Sequence, residues 1–447
     1  MTGISFYLLT DTHYFEPSLG ASGKGYDEYM KGEQMCLAEN SAILKATFAK
    51  IAEDENTDFV IIPGDLTKNG EKESHKGLLR ELYKLRDKGK KIYVITARHD
   101  FNDTPRGYKN DGFVPVEGTK RRELSELYKD FGYETAIAFD ERTLSYVSQL
   151  NRDVRLLAIN CDGETDRERG SIDGRLMEWI KEQARAAKKD GCFMFAINHY
   201  PVIPPIPVFS LVGDAKLKNW KETAETLPDL GINLIFTGHM HIQSVNEYKN
   251  KNGRTLYDIC TSALVGSPAV YRRVSISQEG KVSINTLSVP DFEWDLNGLT
   301  ARQYFDKRFF SMIQHRINKA LSGKGVKAIG RRIFNSITLK CLGRLLFIRV
   351  PKPLKKQRLA DFASEIGISI FAGDMPYTEG TPKGDLIRKT LKRLCPVIRF
   401  VERKLSKDNE PLDLTQMLLS SVGKTGNYSD NHTVINLKEE KHGYNHC

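Results

Sequence analysis

Five of the ten histidines in this 447-residue chain stand just past short apolar runs, and three aspartates stand with them. The runs cover residues 6–10, 59–63, 92–96, 155–160, 193–198 and 234–237, and they are continuous rather than alternating. Runs of that kind suit strands buried on both faces. Asp11 and His13 follow the first run, Asp65 the second, and His99 and Asp100 the third; His199 ends the fifth, and Gly238-His239-Met240-His241 closes the sixth. In an open α/β sheet the crevice beyond the carboxyl ends of the strands is where ligands bind. Three carboxylates and five imidazoles gathered at one such rim form a metal-binding donor set. Imidazole with carboxylate suits Mn, Fe or Zn, whereas Ca or Mg wants mainly oxygen.

Helical periodicity over 71–88, 176–189 and 220–230 separates these runs, which predicts an α/β layered domain. Further strands are expected at 255–261, 270–277 and 281–288. Near 290–298 the texture changes to amphipathic helices, for example 300–321 and 386–405, with breaks at 323–330, 349–356 and 380–384. The expected division is an α/β domain over 1–294, a basic, mostly helical domain over 295–422, and a polar, frayed tail over 423–447. Charge follows that division. From Asp295 onward 28 basic residues face 14 acidic ones, a net +14 that leaves the first 294 residues at −4. Docking of the basic helices on the acidic domain is expected ahead of contact with nucleic acid or anionic lipid.

The seven cysteines are scattered and form no CxxC pair, which argues for a reducing, cytoplasmic compartment. No run approaches 18 apolar residues, so no transmembrane segment is expected, and the first residues carry no leader pattern.

The series Asp11-Thr12-His13, Gly64-Asp65, His99-Asp100, His199 and Gly238-His239-Met240-His241 resembles the calcineurin-like metallophosphoesterase superfamily over residues 4–288. Gly64-Asp65-Leu66-Thr67-Lys68-Asn69-Gly70, and His199-Tyr200-Pro201 with Pro204-Pro205, resemble its bacterial cyclic-nucleotide phosphodiesterase branch. The resemblance implies a metallophosphoesterase-type β-sandwich flanked by helices. It implies that Asp11, His13 and His241 hold one divalent transition-metal ion (Mn, Fe or Zn), and that Asp65 bridges to a second held also by His199 and His239. His99 would contact the substrate and stabilise or protonate the leaving group, with Asp100 orienting its imidazole. The implied reaction is hydrolysis of a phosphodiester, a cyclic nucleotide, by attack of a metal-bound hydroxide. The alternatives are a nucleotidase or phosphomonoesterase, and a catalytically weakened scaffold or binding protein.

One position departs from the family pattern. Ala97-Arg98 stands where the family carries Gly-Asn, whose amide oxygen binds the second metal. Arginine offers donors only and a permanent charge, so it cannot replace that ligand. Either the second metal binds through three protein ligands and extra water, or one metal binds while Arg98 clamps the substrate phosphate, or the site is degenerate, the plain alternative being that Arg98 points to solvent. His75 reads as an exposed helical residue, and Asp162 as a turn former near the rim. Tyr14, Tyr200 and Phe101 read as base-stacking or scaffold aromatics, and Arg272-Arg273 as an anion-attracting or surface pair.

Overall fold

The computed structural model describes residues 2–163, 165, 168–323, 326–405, 412–423 and 426–437. The strands in chain order are β1 (Ile4–Leu8), β2 (Phe59–Pro63), β3 (Lys91–Ile95), β4 (Arg106–Lys109), β5 (Gly112–Pro115), β6 (Ala136–Asp140), β7 (Ser145–Asn151) and β8 (Val154–Ile159). There follow β9 (Phe193–Asn198), β10 (Leu234–Thr237), β11 (Ser244–Lys249), β12 (Thr255–Cys260), β13 (Val270–Ile276), β14 (Lys281–Ser288) and β15 (His432–Asn436). One sheet has the order β15-β14-β13-β1-β2-β3 and another β11-β12-β10-β9-β8-β7-β6, while β4 and β5 form a separate hairpin. β1, β2 and β3 run parallel, as do β8, β9, β10 and β12; the outer strands are antiparallel.

The two sheets pack face to face. Phe6 of β1 stacks on Phe195 of β9 at 5.3 Å and meets Phe236 of β10 edge-on at 5.3 Å. β2 and β10 are buried along their whole length, as their continuous apolar character requires. Helices Asn40–Ala52 and Lys72–Asp87 bury side chains such as Leu44, Phe48, Leu78 and Leu82 in the same core as β1–β3. Helices Gly174–Lys189 and Trp220–Asp229 cover the second sheet through Ile180 and Leu227. The fold is a two-sheet α/β sandwich with a helical C-terminal region, and its parallel strands end at one rim.

The helical region docks on the sandwich. Glu39, 2% exposed, accepts a hydrogen bond from Arg308 at 2.6 Å and one from the Tyr304 hydroxyl. Arg316 donates to the Gly32 carbonyl at 2.9 Å, and Ser267 donates to Asp306 at 2.7 Å.

Several expectations are corrected. Residues 426–437, read as frayed tail, instead supply β15, which pairs with β14 from Lys281↔Asn436 to Asn285↔His432 and buries Ile435 completely. Gly330, expected in a break, lies inside the helix Val326–Ser336. Arg272 is fully buried rather than a surface cation; it donates to the Cys260 and Asp430 carbonyls at 2.9 and 2.7 Å and to Thr261 Oγ1 at 2.9 Å. His75 is also fully buried, between the Tyr128 hydroxyl at 2.8 Å and the Asp100 carbonyl at 2.9 Å. The six described cysteines are free, and no helix of the described residues is long and apolar enough to cross a membrane.

Candidate metal centre

Five of the six ligand candidates stand in turns that extended backbone cannot make. Asp11, His13, Asp65, His239 and His241 all have left-handed backbone, with φ of 52, 38, 49, 67 and 55°. For residues with a Cβ this conformation costs energy, and its clustering marks a functional site. Two glycines make the crowding possible. A Cβ on Gly64, itself at φ 93°, would lie 2.8 Å from His199 Nδ1, and one on Gly238 would lie 2.1 Å from Thr10 Oγ1 and 2.5 Å from Asp11 Oδ2. Backbone bonds lock the turns together: His13 donates to the Asp65 carbonyl at 2.9 Å, Gly238 to the His199 carbonyl at 2.9 Å, and His239 to Asp11 Oδ2 at 3.1 Å.

Two donor groups result, Asp11 with His13 and His241, and Asp65 with His199 and His239. They share an edge. His13 Nε2 lies 3.7 Å from Asp11 Oδ1 and 3.8 Å from Asp65 Oδ2, while His199 Nε2 lies 3.0 Å from Asp65 Oδ2 and 3.9 Å from Asp11 Oδ1. The outer nitrogens of His199, His239 and His241 are tied back, which orients these three rings, while His13 Nδ1 has no partner. His199 Nδ1 donates to the Pro63 carbonyl at 2.9 Å, His241 Nδ1 faces Gln34 Oε1 at 3.1 Å, and His239 Nε2 donates to the Asp214 carbonyl at 2.7 Å. Gln34 donates in turn to the Ser267 carbonyl, and Asn40 donates to the carbonyls of Thr12 and His13.

The electrostatics fit a cation. Burial alone would raise the Asp11 carboxyl, but the His241 imidazole outweighs it and holds it down at about 2. Burial likewise opposes ionisation of Asp65, and His199 and His99 overcome it, leaving Asp65 well below the usual carboxylate range. Burial would lower His199, yet the Asp65 carboxylate pushes it up to about 10. Burial dominates at His13 and His239, which fall to about 3 and about 4 and therefore stand neutral with lone pairs available. Two buried carboxylates favour positive charge between them, Asp11 Oδ1 carries no hydrogen bond, His13 and His239 are neutral donors, and the proton that Asp65 holds on His199 stands where a cation would replace it: this set fits divalent metal ions.

Residues 4–243 match the profile of calcineurin-like phosphoesterases. The chain belongs to the calcineurin-like phosphoesterase family. Membership makes it a metal-dependent phosphoester hydrolase. Among solved structures it is similar to a dimetal phosphatase from Danio rerio, at 10% identity and TM-score 0.46, over 65% of this chain and 97% of that one. It is also similar to the NAD nucleotidase of Haemophilus influenzae, at 14% identity and TM-score 0.36, over 64% of this chain and 49% of that one. The purple acid phosphatase PPD1 of yellow lupin (Lupinus luteus) seeds shows 10% identity and TM-score 0.37, over 65% of this chain and 52% of that one. No curated protein matches the sequence.

The remaining rim residues of this phosphoesterase divide. His99 stands beside the centre, its ring 5.1 Å from that of His13, with Nδ1 2.8 Å from the Lys68 carbonyl. Asp100 does not orient it, contrary to the expectation. The Asp100 carboxylate accepts from the backbone of Ala97 and Thr67 at 2.7 and 2.8 Å, binding the β3 turn to the Asp65 loop. Arg98 points away from the donor groups: its guanidinium lies over the Phe101 ring at 5.2 Å and donates to the Phe101 carbonyl at 3.0 Å. Tyr200 is buried scaffold, its ring 4.2 Å from that of His239 and its hydroxyl on Asp162 at 3.0 Å. Burial raises Asp162 to about 6, so it is a buried partner of Tyr200 rather than a turn former alone. Gln34 and Asn40 are the positioning residues that sequence reasoning missed. They arrive from a loop and a helix start with no motif to mark them.

Proposed function

We propose that this phosphoesterase hydrolyses a phosphodiester, with a cyclic nucleotide as the substrate class. The observation that carries the reading is the shared edge between the two donor groups, at which one phosphoryl group can be held by both. Bound metal ions, Mn, Fe or Zn by the mixed imidazole and carboxylate donors, would supply Lewis-acid stabilisation of phosphoryl charge and an activated water. Asp11, His13 and His241 would hold one ion. Asp65, His199 and His239 would hold the other, with Asp65 facing both. With His99 Nδ1 donating to the Lys68 carbonyl, Nε2 is the atom that meets the substrate, and when the ring carries a second proton its Nε2–H would stabilise or protonate the leaving oxygen. Arg98 contributes to anion binding rather than metal binding. The two sequence stretches around Asp65 and His199 that resemble cyclic-nucleotide phosphodiesterases support the diester over a monoester.

The test is turnover of bis(p-nitrophenyl) phosphate and p-nitrophenyl phosphate by Mn²⁺-loaded protein, beside elemental analysis of metal per chain. Diester turnover above monoester turnover, lost in His239→Ala, supports the proposal. Monoester preference replaces it with a phosphomonoesterase, and no turnover with no bound metal replaces it with a scaffold that has lost its chemistry at Arg98.

A further inference from the structure

The Arg98 side chain opens into a cleft of about 610 Å³ beside the metal centre. Its lining includes Arg98, Phe101, Thr119, Lys120, Arg121 and Arg122. One wall is the segment that begins with the turn Arg98–Asp100, which also carries His99. The other is the 119–122 segment, joined to the first where the Asn102 N–H donates to the Thr119 carbonyl at 3.0 Å. Thr119 N–H also donates to the Gly70 carbonyl at 2.9 Å, which ties this wall to the loop that follows Asp65. The cleft is thus built onto the rim rather than separate from it.

Its chemistry is that of an anion site. Four cationic side chains meet one carboxylate, Asp103, in the lining. Arg121 is held rigid by the carbonyls of Asp162, Arg142 and Thr143 at 2.8, 3.1 and 2.7 Å. Among the described residues no carboxylate forms an ion pair with the side chains of Arg98, Lys120 or Arg122, and Arg98 donates only to the Phe101 carbonyl. A second, independent feature points to a ligand. Thr119 is 2% exposed, and its hydroxyl has no hydrogen-bond partner. Buried hydroxyls are normally satisfied, and an orphan lining a basic cleft needs a polar guest.

We propose that this cleft binds a second phosphate group of the substrate, so that the preferred diester carries a phosphate beyond the one cleaved. This deepens the phosphodiester reading and rests on it. The departure at Arg98 then has a use: an amide that would have served a metal is replaced by a guanidinium that serves the far end of the substrate. Planar guanidinium with flanking ammonium suits phosphate oxygens, and such charge-assisted bonds are the strong ones. The second phosphate could belong to a cyclic dinucleotide or stand as a terminal 5′-phosphate on a linear dinucleotide.

Two substrate pairs separate these sources: thymidylyl-thymidine with and without a 5′-phosphate, and a cyclic dinucleotide against a 3′,5′-cyclic mononucleotide. The expected result is a kcat/KM preference of about tenfold or more for the two-phosphate member of one pair, carried by KM. In the Lys120→Gln/Arg122→Gln double variant that preference falls towards one. Preference in the first pair alone assigns a terminal phosphate, and preference in the second alone assigns the cyclic dinucleotide. Turnover without preference in either pair, or preference that survives the double variant, overturns the inference. Absence of turnover on every diester sinks the phosphodiester reading instead. The cleft is then read by calorimetry of inorganic phosphate on metal-free protein, where binding weakened about tenfold in the double variant upholds an anion site and unchanged binding removes it.

Discussion

At the scale of single residues, the centre is held by groups that touch no substrate. His75 is an example. It is neutral in the fold, its Nε2 donating to the Asp100 carbonyl, and burial holds it down at about 4. An unfolded chain binds that proton near pH 6.5, so as pH falls the unfolded state is protonated first. The stability that depends on neutral His75 is whole above pH 6.5 and is lost between 6.5 and 4, by about 2 kcal/mol between pH 7 and pH 5. Urea denaturation at those two pH values reads this directly: the wild type should lose about 2 kcal/mol more than His75→Gln. Equal losses would show that His75 is not titrating. Arg98 allows a different test. Asn at that position would offer a neutral amide oxygen beside a donor group of three candidate ligands, Asp65, His199 and His239. Metal content per chain should therefore rise in Arg98→Asn at limiting Mn²⁺, and unchanged content would refute the account of a weakened second site.

At the scale of elements, the rim depends on how strands end. Gly238 follows β10 where a Cβ would sit 2.1 Å from Thr10 Oγ1 and 2.5 Å from Asp11 Oδ2. Gly238→Ala must push the β10 turn away from the β1 turn, displacing His239 and His241 together. The expected outcome is a destabilisation of about 1–3 kcal/mol with loss of bound metal from both groups, checked by thermal melts beside elemental analysis. Retention of both metals would mean that the turns can separate without moving the imidazoles. The strand ends were legible in the sequence because β2, β9 and β10 are continuous apolar runs, and their bounds agree with the expected ones. β7 was not legible, since Ser145 and Ser148 are buried polar residues that break its apolar character. β11 and β15 were not either. They are edge strands with much of their length exposed, so too few positions must be apolar to leave a pattern. Helix Asn40–Ala52 hides for the opposite reason: apolar and small residues surround it, so no periodic face stands out. The six candidate donors were legible as a set because four scarce histidines and two aspartates recur just past strand ends. The roles of Asp100 and Arg98 could not, because they depend on where a side chain turns after its backbone position is set.

At the scale of the whole molecule, the segment 426–437 joins parts that the sequence divides. Asp430 accepts hydrogen bonds from Val245 N–H of β11 at 2.9 Å and from Asp374 N–H at 2.6 Å, at the end of helix Leu359–Ala372. Its carbonyl accepts from Arg272 at 2.7 Å, the fully buried cation of β13. One residue near the far end of the chain thus contacts both sheets and the helical region. Burial raises the Asp430 carboxyl, and the backbone N–H of Asp374 is the largest opposing influence. Asp430→Ala removes the carboxylate and leaves two backbone donors without their partner, at a cost of about 3 kcal/mol. The Arg272 bond is made to a carbonyl and survives, so β13 and the metal rim should keep their positions. The expected outcome is a lower unfolding midpoint with unchanged metal content, whereas a chain cut before residue 426 should lose both, because it also strips β15 from the edge of β14 and leaves the Arg272 guanidinium short of an acceptor. If Asp430→Ala melts like the wild type, the sheets and helices are held together elsewhere, and the buried Glu39–Arg308 contact becomes the joint that carries the assembly.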